Sequence, residues 1–168
     1  MSDAGYHPAG LPALRTAIAD HHSADGLPTL PEQVVVTTTG ATQAVALIAR
    51  LHLGRGSTAI VESPGWPGCL DVLRAAGARP VGVELDADGV RIDRLATELA
   101  THTPALLYVT PTFQNPTGIL MSAGRRRRVA QLAAEHGAVV VEDTRTRRPS
   151  LPVRHRRRSP RTPPGERC

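Results

Sequence analysis

The sequence predicts an α/β fold in which a mostly parallel sheet lies between two layers of helices. Short apolar segments bounded by Gly, Pro or Asp alternate with longer segments of helical periodicity. Short segments of this kind are typical of strands that are buried on both faces. Regular alternation of strands and helices favours parallel pairing through right-handed crossovers, and therefore three layers. A chain of 168 residues is long enough for one domain with a substantial core.

Five strands and five helices follow from this pattern. The predicted strands are residues 34–37, 58–62, 80–84, 105–109 and 138–142. The predicted helices are residues 11–22, 42–53, 67–76, 92–100 and 122–136. Each helix carries an apolar stripe, which in the first consists of Leu11, Leu14, Ile18 and Ala19. We therefore expect one domain over residues 1–143.

The regular pattern stops at Thr144. Residues 1–143 carry a net charge of −3, whereas residues 144–168 carry +8, with nine Arg and five Pro. Such a segment has too little apolar surface to offset the entropy of ordering, so we expect residues 144–168 to be disordered. Its composition favours a product of out-of-frame translation. The alternative is a tail that binds nucleic acid, and we expect no nucleic-acid partner except through this tail.

Other features exclude several classes of protein. Cys69 and Cys168 lie too far apart to indicate a disulfide framework, and we expect no metal site. No apolar run approaches the roughly 20 residues that cross a membrane, so we expect no membrane partner. Residues 1–10 lack the features of a signal peptide, which predicts a cytoplasmic protein.

Two of the predicted strands are followed by segments suited to holding a ligand. Gly40, Ala41 and Thr42 begin a helix, where free N–H groups favour an anion. They could hold a phosphate or form an ordinary turn between a strand and a helix. Trp66 lies in a loop after the next strand, at the sheet edge where α/β proteins bind ligands. Its indole could stack on a flat ring or fill an interface.

Two more candidates follow the later strands. Asn115 lies in the segment Gln-Asn-Pro-Thr-Gly, where its amide could donate to a ring oxygen. Asp143 ends the last predicted strand, and a buried carboxylate there is costly without a cation. A protonated pyridine nitrogen would be one such cation.

These segments, in this order, resemble the large domain of the class I/II aminotransferases, which are fold type I pyridoxal-phosphate enzymes. They are also similar to the aminotransferase-like domain of MocR-type transcription regulators. The resemblance covers about residues 6–143, and the Asn-Pro-Thr-Gly run at 115–118 is its most specific element. The segment YHPAGLPALR at 6–15 adds to it. The resemblance implies an incomplete fold type I large domain, transfer of an amino group between an amino acid and a 2-oxo acid, and a homodimer.

The resemblance also implies a role for each candidate residue. Pyridoxal 5′-phosphate would be the cofactor. Gly40, Ala41 and Thr42 would hold its phosphate, and Trp66 would stack on its ring. Asn115 would bind the ring hydroxyl oxygen, and Asp143 would pair with the protonated ring nitrogen. Tyr6 would reach the phosphate of the cofactor in a neighbouring subunit.

The chain departs from the family's pattern after Asp143. The family continues with another acidic residue and a Tyr, but here Thr144, Arg145 and Thr146 follow. All 20 basic residues are Arg, so the lysine that forms a Schiff base with the cofactor is absent. Arg stays protonated and cannot replace it. We therefore assign no catalytic residue and expect no turnover, with at most weak noncovalent binding of the cofactor.

A shift of reading frame just after Asp143 would explain the change in composition. Three hypotheses follow for the chain. It is a fragment of an aminotransferase, part of the effector domain of a MocR-like regulator, or a protein that binds nucleic acid through residues 144–168.

Overall fold

A computed structural model describes residues 5–24 and 26–144. The predicted disorder of residues 144–168 concerns a segment that, apart from Thr144, lies outside the described residues. In chain order the elements are α1 (Pro12–Ala24), α2 (Gly40–His52), β1 (Thr58–Ser63), α3 (Pro67–Ala75), β2 (Arg79–Asp86), β3 (Gly89–Val90), α4 (Ile92–His102), β4 (Leu106–Thr112), α5 (Ala123–Glu135) and β5 (Val139–Thr144). A short 3-10 helix, Pro31–Gln33, lies between α1 and α2.

The five strands form one sheet in the order β3-β2-β1-β4-β5. The pairs β1–β2, β1–β4 and β4–β5 are parallel, and only the short β3 runs antiparallel to β2. Each face of the sheet has its own core. Ile60, Leu107 and Val109 pack with α4 and α5, whereas Ala59, Val61, Leu106 and Tyr108 pack with α2 and α3. The predicted α/β fold with a mostly parallel sheet between helices is confirmed.

Two features of the sheet differ from the prediction. The predicted strand at residues 34–37 is wrong, since these residues join no sheet. A strand forms only where a second strand offers its backbone groups, and this segment instead has Val36 donating to the carbonyl of Ala9 at 2.9 Å. The two-residue strand β3 was not predicted, because it arises only when the turn after β2 folds the chain back.

The edges of the fold are more exposed than the sequence indicates. Within residues 5–24 and 26–144, β5 pairs only with β4. Val139 and Val140 are accordingly 38% and 41% exposed, although their pattern is typical of a buried strand. Helix α1 also forms as predicted, but of its apolar stripe only Ala19 is buried. Both elements present apolar surface that the described part of the chain does not cover.

The described residues contain no helix long and apolar enough to cross a membrane. Within the same residues, no group of three or more His, Cys, Asp or Glu side chains could hold a metal ion. Cys69 is a free, buried thiol on α3.

Candidate functional site

The topology brings three of the predicted site residues to one edge of the sheet. β1, β4 and β5 are parallel neighbours, so their carboxyl ends lie side by side. Trp66 follows β1, Asn115 follows β4 and Asp143 lies near the end of β5. This edge is where open α/β sheets bind ligands.

Trp66 is half-buried and immediately precedes α3. Its indole lies over Gly68, because a Cβ atom at position 68 would come within 2.5 Å of Cζ2 of the indole. The indole packs against the core cluster that contains Cys69 and Tyr108. With Glu62 and these two residues it lines a cavity of about 10 Å³. That volume holds about one water molecule, so a flat ring could contact only the outer side of the indole.

Asp143 is held by a tyrosine on the neighbouring strand. The hydroxyl of Tyr108 donates to Oδ2 of Asp143 at 2.6 Å. Tyr108 pairs in register with Val141, which puts Asp143 two residues further along the same face of β5. Burial raises the pKa of Tyr108 above its usual range, and the hydrogen bond to Asp143 raises it further. Tyr108 therefore stays a hydrogen-bond donor that fixes the Asp143 carboxylate.

Sequence reasoning missed Tyr108 as a site residue. A signal was present, since a tyrosine inside a buried apolar strand needs a partner for its hydroxyl.

Glu62 is a second residue that the sequence did not single out. It lies near the end of β1 and is only 3% exposed. One carboxylate oxygen, Oε2, accepts from Nε2 of Gln114 at 3.2 Å. Burial raises the pKa of Glu62, and the charge of Asp143 adds to the rise while the bond from Gln114 lowers it. A charged residue in a buried strand was the available signal, because such a group needs a partner.

The loop that carries Asn115 is tied together by its own backbone. The N–H of Gln114 donates to the carbonyl of Ile119 at 2.9 Å, and the N–H of Gly118 donates to the carbonyl of Gln114. Asn115 itself is half-buried. In residues 5–24 and 26–144 its side-chain amide has no hydrogen-bond partner, so it is free to bind a ligand.

Gly40, Ala41 and Thr42 form the exposed first turn of α2. Gly40 has a φ of +73°, which a residue with a side chain rarely adopts. The residue before the helix, Thr39, makes no side-chain cap to the first turn. The N–H groups at the start of α2 are therefore open to an anion.

The remaining links between the candidates are indirect. The first turn of α2 and Trp66 are connected through their helices, because α2 packs against α3 and Trp66 immediately precedes α3. Tyr6 is 83% exposed and belongs to neither core cluster.

Comparison with known proteins identifies the family of this chain. The family model described as aminotransferase class I and II matches residues 2–144. The chain belongs to the class I and II aminotransferase family. The predicted resemblance is therefore confirmed.

Two curated relatives of this aminotransferase-family chain represent different kinds of protein. A 2-aminoadipate transaminase of Thermus thermophilus is 39% identical over 113 residues, which cover 67% of this chain and 28% of the relative. A probable rhizopine catabolism regulatory protein, MocR, of Rhizobium meliloti is 36% identical over 141 residues, which cover 83% of this chain and 28% of the relative. The chain thus spans less than a third of each.

A solved structure supports the same assignment. LysN, the alpha-aminoadipate aminotransferase of Thermus thermophilus, superposes with a TM-score of 0.73 at 36% identity, covering 82% of this chain and 34% of LysN. That structure holds N-(5′-phosphopyridoxyl)-L-leucine, which supports the predicted cofactor of the family. The fold of this chain is accordingly that of part of an aminotransferase large domain.

Proposed function

We propose that this chain is the cofactor-binding portion of a pyridoxal-phosphate-dependent aminotransferase, and that it binds the cofactor noncovalently. The observation that carries the proposal is the grouping of Trp66, Asn115 and Asp143 at the carboxyl ends of three adjacent parallel strands. Asp143 is held there by Tyr108.

The donor set fits the chemistry of this cofactor. Trp66 offers an aromatic face for the ring, Asn115 a free amide for the ring hydroxyl oxygen, and Asp143 a carboxylate for the protonated ring nitrogen. Residues 40–42 offer the uncapped start of α2 for the phosphate. Tyr6, which is exposed, would reach the phosphate bound by the second subunit of a homodimer.

The candidate residues named above would bind and orient the cofactor. The sequence offers no lysine to move the proton of the substrate's α-carbon. When bound, the cofactor supplies an electron sink for loss of a proton from the α-carbon of an amino acid. Asp143, held by Tyr108, would keep a proton at the ring nitrogen. The sequence contains no lysine, and its 20 arginines stay protonated. We therefore expect no conversion of an amino acid to a 2-oxo acid by this chain.

The test is a binding titration with pyridoxine 5′-phosphate, which lacks the aldehyde and cannot react with amines. Trp66 is the only tryptophan, so its emission reports binding at the site directly. Asp143→Asn should weaken binding about tenfold or more, since a hydrogen bond to a charged group contributes about 1.5–3 kcal/mol.

Asp20→Asn, on the exposed surface of α1, is the matched control and should bind as the unsubstituted chain does. Equal affinity of Asp143→Asn and Asp20→Asn would overturn the proposal.

A second candidate is the effector domain of a MocR-like transcription regulator. The chain is 36% identical to MocR over 83% of its length, a match as extensive as that to the enzyme LysN, so the same domain supports this candidate as well. Sequencing the DNA upstream of Met1 separates the two. A winged-helix coding region in the same frame supports the regulator, and its absence supports the enzyme.

Sequencing downstream tests our proposal that residues 144–168 are out of frame and that the family domain ends at Asp143. Another frame should encode a Tyr soon after this Asp and a Lys further on. If no frame encodes them, the proposal of a shifted frame is wrong.

A further inference from the structure

The side chain of Gln114 connects two loops of the candidate site. Its Nε2 donates to Oε2 of Glu62 at 3.2 Å and to the carbonyl of Pro64 at 2.8 Å. Its Oε1 accepts from the N–H of Thr117 at 3.0 Å and from the Thr117 hydroxyl at 2.6 Å. A carboxamide has two N–H donors and an oxygen with two lone pairs, so all four positions are used.

The partners of Gln114 belong to different parts of the chain. Glu62 and Pro64 precede Trp66, whereas Thr117 belongs to the loop that carries Asn115. The connection spans about 50 residues of sequence and is removed from solvent, because Gln114 is only 2% exposed. Buried hydrogen bonds of this kind hold their partners in fixed positions, since water does not compete for them.

We propose that Gln114 is a positioning residue whose carboxamide holds the Trp66 loop and the Asn115 loop at a fixed separation. The strands that precede the two loops, β1 and β4, pair with each other up to Val61 and Tyr108, and Gln114 continues the connection beyond that point. Its role toward the cofactor rests on the proposed function, whereas the coupling of the loops is a property of the chain without ligand.

The chemistry of the site requires an amide at this position. A methionine is similar in length but makes none of the four bonds, which leaves the Pro64 carbonyl without its donor. A glutamate is similar in shape, but its oxygens would face the oxygens of Glu62 and Pro64. Neither can donate twice and accept twice, so both should release the loops.

The experiment uses the full chain and two readouts. The first is quenching of Trp66 emission by acrylamide without ligand, and the second is affinity for pyridoxine 5′-phosphate. Gln114→Met and Gln114→Glu should raise the quenching constant about twofold and weaken binding about tenfold, because looser loops must be ordered on binding. Gln131→Met, an exposed site on α5, is the matched control and should change neither.

The readouts separate failure of this inference from failure of the proposed function. If both Gln114 variants keep a native circular dichroism spectrum, unaltered quenching and unaltered affinity, the positioning role is overturned. If the unsubstituted chain binds no pyridoxine 5′-phosphate, the proposed function and the role toward the cofactor both fail, while increased quenching still supports coupling of the loops.

A milder variant covers the case in which the Gln114 variants do not fold. Glu62→Leu removes one of the two bonds between the loops and keeps the bond from Gln114 to the carbonyl of Pro64. It should shift both readouts in the same direction by a smaller factor, and no shift would overturn the proposal.

Discussion

Replacing Tyr108 by Phe tests the hydrogen bond that holds Asp143. The substitution removes one hydroxyl and keeps the ring, which is 4% exposed and packs in the core between the sheet and α2 and α3. The lost bond is 2.6 Å long and ends on a carboxylate, which is the strongest class of protein hydrogen bond. Such bonds contribute about 1.5–3 kcal/mol, and water can reach the half-buried Asp143 in the variant. We therefore expect a loss of about 1.5 kcal/mol in the free energy of unfolding.

The assay is equilibrium unfolding in urea, followed by Trp66 emission. The only other tyrosine, Tyr6, is 83% exposed and provides a matched control, so Tyr6→Phe should leave the free energy of unfolding unaltered. Tyr108→Phe in an Asp143→Ala background should cost less than a third of its cost in the unsubstituted chain, because its partner is already gone. An equal cost in both backgrounds would refute the coupling between Tyr108 and Asp143.

Three further predictions concern the buried groups around this site. Burial raises the pKa of Glu62 from 4.5, so the free energy of unfolding should fall as pH rises from about 4.5 through the pKa of the folded state. Urea titrations across pH should show that Glu62→Gln lacks this fall. If the two proteins give pH curves of the same shape, the prediction is wrong. Gly68→Ala should displace the indole of Trp66 and shift its emission maximum. Gly124→Ala is the control and should cause no shift, because its Cβ would meet only Ser122 Oγ at 4.0 Å. Equal emission spectra of the two variants would refute the packing of the indole over Gly68. Burial raises the pKa of the Cys69 thiol to about 12. In a Cys168→Ser background, a thiol reagent at pH 8 should therefore modify Cys69 only as the chain unfolds. Rapid modification of the folded chain would refute the burial of this thiol.

The parts of the fold that the sequence predicted are those specified by local pattern. Strands β1 and β4 are continuous apolar segments between helices. β1 formed within one residue of its predicted bounds, and β4 begins one residue later and ends three residues later than predicted. Residues 34–37 have a similar pattern, yet they are not a strand, because pairing depends on a neighbour that the local sequence does not specify. The exposure of β5 was not predicted for the same reason, because the local sequence does not show that this strand lies at an edge of the sheet.

The candidate site divides in the same way. Asn115 and Asp143 were found because each lies at or just beyond the end of a predicted strand, and whether they bind the cofactor stays a prediction. Tyr108 and Glu62 were not found, and Gln114 was recognised only as a neighbour that fixes the Asn115 loop, since the partners of these residues on other strands and loops lie 35 to 52 residues away. Such contacts follow from strand order and register rather than from local sequence.

The most direct test of the account is a two-dimensional ¹H–¹⁵N spectrum of the full chain titrated with pyridoxine 5′-phosphate. We predict that amide shifts will concentrate in the non-proline residues of 40–42, 63–66, 113–118 and 142–144, at the start of α2 and the carboxyl ends of β1, β4 and β5. The alternative is attraction of the phosphate to the arginines of residues 145–168. Shifts confined to those arginine-rich residues, with the sheet edge unaltered, would contradict the proposal that this chain retains a cofactor site.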